Sequence, residues 1–248
     1  MIKGVLFDLD GTLLDHRAAA DSAITAWLAA HCPGHPRRGE APALWAGLEG
    51  PYLARWQAGE CSVQEQRRLR LRALCRELAV AEPADLDAAY ADFAAHYRRG
   101  WVAYPDAAGA VSALSAPGAA TGAASGAAAG MTPGPALGVL TNGAQAMQEA
   151  KVRAIGLAGP LRTVLTGEVL DGHFKPAPGA YTGAAAALGL APEEVLLVGD
   201  DIARDVTGPA AAGMRSVWLD RLGVEPAPPG FPRITTLADL PALVAALR

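Results

Sequence analysis

The 248-residue chain lacks both a strong excess of one charge and any long hydrophobic run. It has 21 Lys and Arg residues against 25 Asp and Glu, a formal net charge of −4. Dispersed basic residues in a slightly acidic chain do not form the positive patch of a nucleic-acid-binding protein. No apolar run reaches the roughly 20 residues that a membrane-spanning helix requires. We therefore expect neither nucleic acid nor a membrane as a partner.

Cysteine is also scarce. The three cysteines, Cys32, Cys61 and Cys75, are odd in number and lack the spacing of metal ligands, which favours reduced thiols. The apolar opening of the chain is interrupted by charge and by Asp8, so it is not typical of a signal peptide. Together these features predict a cytoplasmic protein.

Three short apolar runs, each followed at once by small polar residues and a helical pattern, are the main structural signal. They are residues 2–7 before Asp8-Leu9-Asp10-Gly11-Thr12, residues 137–140 before Thr141-Asn142-Gly143, and residues 195–198 before Gly199-Asp200-Asp201. Such runs are typical of strands in a parallel α/β sheet, and residues 216–219 form the predicted last strand. Ligands bind beyond the carboxyl ends of such strands. We expect Asp8, Asp10, Thr141, Asp200 and Asp201 to converge on one crevice.

The turn after the first strand carries two carboxylates, Asp8 and Asp10. A carboxylate at the end of a buried strand is costly unless a cation or hydrogen-bond donors compensate it, which points to a metal site or an acid/base pair. The alternative is an Asx-type turn whose side chains only cap backbone amides.

Lysine is rarer than arginine throughout, since only Lys3, Lys151 and Lys175 occur among the 21 basic residues. Lys175 lies in the loop Phe174-Lys175-Pro176-Ala177-Pro178, which two prolines stiffen. A chain that otherwise prefers arginine has a compact ammonium here, and we interpret Lys175 as a functional cation and not as a solvated surface residue.

These segments, in this order, resemble the haloacid dehalogenase-like hydrolase superfamily. The resemblance rests on Asp8-Leu9-Asp10-Gly11-Thr12, Thr141-Asn142, Lys175-Pro176, and Gly199-Asp200-Asp201 with Asp205. It implies a Rossmann-like parallel α/β core and hydrolysis of a phosphate monoester with Mg²⁺ as cofactor. A carboxylate can attack a phosphate dianion only if the repulsion is offset, for which Mg²⁺ and a lysine are suited.

The resemblance also implies a role for each residue. Asp8 would be the nucleophile that forms an aspartyl-phosphate, and Asp10 the general acid and base. Asp8, the Asp10 carbonyl and Asp200 would bind the metal, while Asp201, Asp205 and Thr12 would orient metal-bound water or neighbouring backbone. The phosphoryl oxygens would be held by Thr141, Asn142, Lys175 and Gly11.

Residues 16–100 contain no strand-like run. Apolar residues recur at helical spacing, with Trp27, Tyr52 and Trp56, Phe93 and Tyr97 among them, which predicts about four helices with an aromatic core. In the superfamily an insertion at this point is a helical cap domain. We therefore expect a cap at 16–100 and a core domain formed by 1–15 and 101–248. His16 and Arg17, where the chain enters this cap, are candidate substrate contacts.

Residues 115–135 are nearly all Ala, Gly, Ser, Thr and Pro, without an apolar period. This composition favours a flexible loop, and its position before a strand predicts that it lies away from the chemistry.

The sequence thus predicts a Mg²⁺-dependent phosphatase for a small nucleotide, sugar phosphate or phosphoglycolate, acting as a monomer or homodimer. Three alternatives stay open: a phosphomutase, a haloacid dehalogenase, which by resemblance lacks a second aspartate such as Asp10, and a non-catalytic phosphate-binding regulatory module. A phosphonatase would need a cap lysine, and there is none between Gly11 and Gly100.

Overall fold

The computed structural model describes residues 1–116, 134–223 and 229–247. The chain divides into two compact units. One, the α/β unit, comprises Met1–Leu14 and Ala103–Arg248, and the other, the helical unit, comprises Asp15–Val102. The predicted flexible loop at 115–135 lies almost wholly outside the described residues, and Ser115 is the last residue of a helix.

The α/β unit contains one sheet of six parallel strands in the order β3-β2-β1-β4-β5-β6. The strands are β1 (Gly4–Phe7), β2 (Ala136–Leu140), β3 (Thr163–Leu165), β4 (Val195–Gly199), β5 (Arg215–Leu219) and β6 (Arg233–Ile234). β1 and β4 are buried along their whole length, as expected for a parallel sheet covered on both faces. The predicted α/β fold class is confirmed.

The sequence analysis did not predict two of the strands, β3 and β6. β3 has three residues and β6 has two, which is too short for an apolar run to stand out. The prediction that residues 216–219 form the last strand is wrong, because β6 follows β5 and pairs with it in parallel.

The described residues contain nine α-helices. They are α1 (His16–His31), α2 (Ala41–Gln57), α3 (Val63–Leu78), α4 (Leu86–Arg99), α5 (Ala107–Ser115), α6 (Gln145–Ala154), α7 (Pro178–Ala187), α8 (Gly208–Ala211) and α9 (Leu240–Ala246). A π-helical segment, Ile202–Thr207, precedes α8. None of these helices is long and apolar enough to cross a membrane.

Helices α1 to α4 form the helical unit. Side chains cap three of their N-termini, since Asp15, Ser62 and Asp85 each accept a hydrogen bond from a first-turn backbone N–H. The α1–α4 core contains the aromatic residues predicted for α1 and α4, with Trp27 at 1% exposure and Phe93 at 3%.

The prediction of a helix around Tyr52 and Trp56 is confirmed by α2, but the prediction that these two residues belong to the core is wrong. Tyr52 and Trp56 are half-buried, and the aromatic residue that α2 places in the core is Trp45, 1% exposed. The face of α2 that is buried is therefore the one through Ala41 and Trp45 near its N-terminus, both fully packed. The spacing of Tyr52 and Trp56 fits a helix but does not show which face is inward.

Candidate active site

The order of the strands places the three polar turns side by side. β1 lies between β2 and β4, and Phe7 is paired with Val139 on one side and Val198 on the other. The Asp8 N–H then donates to the Val198 carbonyl at 2.9 Å, so the ladder continues one residue beyond the strand. This bond fixes the backbone at Asp8, whose side chain is nearly buried.

Three carboxylates gather at this edge of the sheet. Asp8, Asp200 and Asp205 each offer an oxygen, and these oxygens lie within 4.8 Å of one another. Gly11 makes room for Asp200, because its φ is +95° and a Cβ there would collide with the Asp200 carboxylate. The Thr12 hydroxyl donates to Asp200 Oδ1 at 3.2 Å. The described residues thus bring three of the predicted acidic residues into one cluster.

Lys175 is the cation of this cluster. Its Nζ lies 2.8 Å from Asp8 Oδ1 and 2.6 Å from Asp205 Oδ1, and the residue is only 3% exposed. Asn142 fixes the backbone of Lys175 at two points: Asn142 Nδ2 donates to the Lys175 carbonyl at 2.6 Å, and the Lys175 N–H donates to Asn142 Oδ1 at 2.8 Å. The side chain of Asn142 therefore positions the lysine.

Charge and burial shift the pKa values of this cluster. Burial raises the pKa of Asp8, and Asp205 and Asp200 raise it further, against the opposing effect of Lys175. Burial also raises the pKa of Asp200 to about 6, with a further contribution from Asp205. For Lys175 burial acts downward, but Asp205 and Asp8 outweigh it and hold the pKa of the ammonium above its usual range.

Asp10 has a different cation. Lys151 Nζ lies 2.7 Å from Asp10 Oδ1 and 2.6 Å from Oδ2, and Gln148 Nε2 donates to Oδ2 at 3.1 Å. Gln148 and Lys151 come from helix α6 and are both buried. The sequence analysis identified neither residue as functional. Two signals were available: Lys151 is one of only three lysines, and it lies one helical turn after Gln148.

Thr141 follows β2 and is buried beside Gln148. Its hydroxyl oxygen accepts from Gln148 Nε2 at 2.7 Å. Gly11, predicted to hold a phosphoryl oxygen, donates its N–H to the Leu14 carbonyl at 2.9 Å. The backbone N–H of Gly11 therefore forms its hydrogen bond within the turn after β1.

Asp201 is the N-cap of the π-helical segment, and Asp205 lies within that segment. The Asp201 carboxylate is exposed and caps this segment by accepting from Arg204 N at 2.9 Å. The Asp201 N–H donates to Asp205 Oδ2 at 3.1 Å, and Asp205 is 1% exposed. The backbone of Asp201 therefore orients Asp205, whereas its side chain lies toward solvent.

Arg221, which follows β5, is a second residue that sequence reasoning missed. It donates to the carbonyls of Thr12 at 2.7 Å and Gly11 at 3.3 Å. Its guanidinium also forms a two-point contact with Asp106, at 3.0 Å for each pair of atoms. Arg221 thus holds the turn that carries both aspartates.

His16 and Arg17 belong to the helical unit, at the start of α1. His16 contacts the Tyr97 hydroxyl through Nδ1 at 2.5 Å and Glu49 through Nε2 at 3.1 Å. Arg17 pairs with Asp21 on the same helix at 2.7 Å.

Parts of the chain are similar in sequence to known phosphatases. The chain is 45% identical to phosphoserine phosphatase from Thermus thermophilus over 97 residues. This stretch covers 39% of this chain and 38% of that protein. The chain is 28% identical to N-acylneuraminate-9-phosphatase from Homo sapiens over 113 residues, 44% of this chain and 45% of the relative. The chain therefore matches less than half the length of these relatives.

Several solved structures resemble the whole chain, dehalogenases among them. L-2-haloacid dehalogenase from Xanthobacter autotrophicus superposes with a TM-score of 0.76 at 25% identity, covering 100% of both chains. The family model for haloacid dehalogenase-like hydrolases matches residues 2–213, from β1 to the turn before β5. The chain therefore belongs to the haloacid dehalogenase-like hydrolase family.

Proposed function

We propose that this protein is a Mg²⁺-dependent phosphatase that hydrolyses a small-molecule phosphate monoester through an aspartyl-phosphate. The observation that carries the proposal is the pair of aspartates on one turn, each beside a different cation. Asp8 lies buried against Lys175, and Asp10 lies against Lys151. Two carboxylates in different surroundings can perform two different tasks.

Asp8 is the proposed nucleophile. One of its oxygens attacks phosphorus while the bond from phosphorus to the ester oxygen breaks, so the phosphoryl group moves to Asp8 and the alcohol departs. Asp10 donates a proton to that departing oxygen. In the second step Asp10 removes a proton from a water molecule that attacks the phosphorus, the bond to Asp8 breaks, and inorganic phosphate is released.

Lys175 and Thr141 would bind the phosphoryl oxygens. The Lys175 ammonium is already adjacent to Asp8, so it can offset the repulsion between that carboxylate and a phosphate dianion. The Thr141 hydroxyl oxygen accepts from Gln148, which leaves its proton for a phosphoryl oxygen. Asn142 would contribute through its backbone N–H, because its side chain is engaged by Lys175.

The acidic cluster fits Mg²⁺, which prefers oxygen ligands. Asp8 and Asp200, with the Asp10 carbonyl, would hold the ion, and when bound it would supply positive charge against the phosphoryl group. Both oxygens of Asp205 accept from donors, namely Lys175 Nζ and the Asp201 N–H. We therefore assign Asp205 to positioning Lys175, with Asp201 and Thr12 orienting the groups around the metal.

The substrate class follows from the relatives only in outline. Those reported above act on phosphoserine and on the 9-phosphate of an N-acylneuraminate, as their names state. A nucleotide, a sugar phosphate and phosphoglycolate are the candidates for this chain, and a phosphomutase would use the same residues. A haloacid dehalogenase is favoured by the full-length structural resemblance. Asp10 argues against it, because such an enzyme needs no acid at that position.

A substitution series tests the proposal. A panel of phosphate monoesters is assayed with Mg²⁺, and 2-chloropropionate is assayed for halide release. Asp8→Asn should abolish turnover and the acid-stable label from a ³²P ester, because the nucleophile is lost. Asp10→Asn should retain labelling from an ester with a good leaving group and should slow release. Parent activity in excess chelator, or steady turnover by Asp8→Asn, would refute the proposal.

A further inference from the structure

We infer that Lys151 and Gln148 of helix α6 are positioning residues that hold the carboxylate of Asp10 in its working orientation. Lys151 contacts both Asp10 oxygens, at 2.7 and 2.6 Å, and Gln148 contacts one of them at 3.1 Å. Neither side chain needs to touch substrate for this role. The inference rests on the proposed function, in which Asp10 is the acid and base.

The contacts on the Asp10 carboxylate limit its rotation. Rotation of the Asp10 side chain would move both oxygens, and a single donor on one oxygen would leave that rotation open. Lys151 spans both oxygens and Gln148 adds a donor from one helical turn earlier on α6. Three contacts from one rigid helix therefore define where the Asp10 oxygens lie.

Gln148 also links Asp10 to the proposed phosphoryl site. Gln148 Nε2 donates both to Asp10 Oδ2 and to the Thr141 hydroxyl oxygen at 2.7 Å. One amide group thus sets the distance between the proposed acid and the proposed phosphoryl-binding hydroxyl. A displacement of either group by about 1 Å can cost roughly 100-fold in rate.

Lys151 and Gln148 are both buried. Lys151 is 4% exposed and Gln148 is 1% exposed, although both are polar. A buried ammonium needs a carboxylate partner, and Lys151 has one in Asp10 on the turn after β1.

Gly143 shows that the local chain is shaped to admit Gln148. A Cβ at Gly143 would lie 2.5 Å from Gln148 Nε2 and 2.6 Å from its Cδ, which is closer than a side chain can approach. The Thr-Asn-Gly turn after β2 therefore leaves space for this amide. Gly143→Ala should displace Gln148 without removing any polar group.

The test compares two substrates in the parent and in variants of the full chain. Lys151→Met should lower kcat/KM roughly 10- to 100-fold for an alkyl phosphate, whose leaving group needs a proton. It should lower kcat/KM for p-nitrophenyl phosphate only a few-fold, because nitrophenolate leaves without one. Gln148→Leu and Gly143→Ala should act in the same direction with smaller ratios. KM should change little in each case.

Arg153→Met is the matched control. Arg153 lies on the same helix, is exposed, and pairs with Glu149 at 3.7 Å, so its loss should leave both substrates unaffected. Equal losses on the two substrates in Lys151→Met would indicate a general structural defect and would overturn the inference, while the proposed function would stand.

Crystal structures of the parent and of Lys151→Met provide a readout besides activity. The inference requires the Asp10 carboxylate to rotate or to become mobile in the variant. An unchanged, ordered Asp10 would refute the positioning role even if the parent hydrolysed no phosphate ester. Absence of parent activity on every ester would refute the proposed function separately.

Discussion

The two units of this protein bury charge in opposite ways. At the strand ends of the α/β unit, one ammonium, that of Lys175, lies among the carboxylates of Asp8, Asp200 and Asp205. In the helical unit, the buried guanidinium of Arg70 is paired with Glu49 at 3.2 Å. The first cluster has three carboxylates beside one ammonium, whereas in the second the single carboxylate of Glu49 contacts Arg70 and His16.

The guanidinium of Arg70 is surrounded by groups that interact favourably with its positive charge. Arg70 donates to the Trp45 carbonyl at 2.8 Å, and its guanidinium lies 3.9 Å from the centroid of the Trp45 ring. A backbone carbonyl, an aromatic ring and a carboxylate thus surround the guanidinium, while its buried Nε has no hydrogen-bond partner among the described residues. In the α/β cluster the three carboxylates exceed the one ammonium, and this excess of negative charge is suited to bind Mg²⁺. Excess charge thus distinguishes a site from a structural pair.

The largest test of this contrast is Lys175→Met. Removing the ammonium should lower kcat by roughly 100- to 1000-fold, because the nucleophile and the phosphate would face each other without a compensating charge. Without Mg²⁺ the free energy of unfolding should fall by about 3–5 kcal/mol, since Asp8 and Asp205 lose their partner. Added Mg²⁺ should restore part of the stability but not the rate. Urea unfolding with and without chelator measures the loss of stability and its recovery with Mg²⁺, and enzyme assays measure kcat.

Lys3→Met is the control for that experiment. Lys3 is 56% exposed and pairs with Glu194 at 2.6 Å on the surface, so its loss should cost about 0–1 kcal/mol with no response to Mg²⁺. If the two lysine variants lost the same stability, the strand-end cluster would not be short of positive charge, and the contrast would fail.

A smaller effect is expected from Arg70→Met in the helical unit. The substitution leaves Glu49 without this partner, and because Glu49 is 29% exposed the loss should be about 3 kcal/mol, the lower end for a broken buried pair. Mg²⁺ should not alter this loss. Arg76→Met, exposed on the same helix, should change stability by under about 0.5 kcal/mol. Rescue of Arg70→Met by Mg²⁺ would contradict a closed structural pair.

Much of the fold was predictable because strand ends in a parallel sheet leave a local signature. Apolar runs that end in Asp8 and Asp200 predicted both the strands and the edge at which these side chains meet. The four helices followed from periodicity. What periodicity could not show was the inward face of α2, where Trp45 and not Tyr52 is buried.

The residues that sequence reasoning missed act through tertiary contacts. Lys151 lies 141 positions from Asp10 and Arg221 lies 209 positions from Thr12, so no local spacing links them. Composition gave one usable signal, the rarity of lysine, which favoured Lys175 and applied equally to Lys151. The side chain of Asn142 has a partner, Lys175, that lies 33 positions away and that only the folded chain reveals.

The smallest expected effect concerns the pH dependence of Asp200→Asn without metal. The pKa of Asp200 is raised from 3.8 to about 6 by burial and by Asp205. Between these pH values the native state binds more protons than the unfolded state, so stability falls as pH rises through this window. Above about pH 6 the full penalty is present, and it disappears when the carboxylate is replaced by an amide.

Asp200→Asn should therefore be more stable than the parent at pH 8 and closer to it at pH 4. Although the surrounding protein desolvates the carboxylate enough to raise its pKa, Asp200 is an exposed residue by surface area, so solvent screening limits the gain to at most about 1 kcal/mol, or roughly 2–4 °C in Tm for a chain of this size. Thermal melts from pH 4 to pH 8 in chelator measure it. Mg²⁺ at pH 8 should stabilise the parent more than the variant, because the same ionised carboxylate that destabilises the metal-free cluster binds the cation. Parallel melting curves across this pH range would show that Asp200 carries no excess charge in the native cluster.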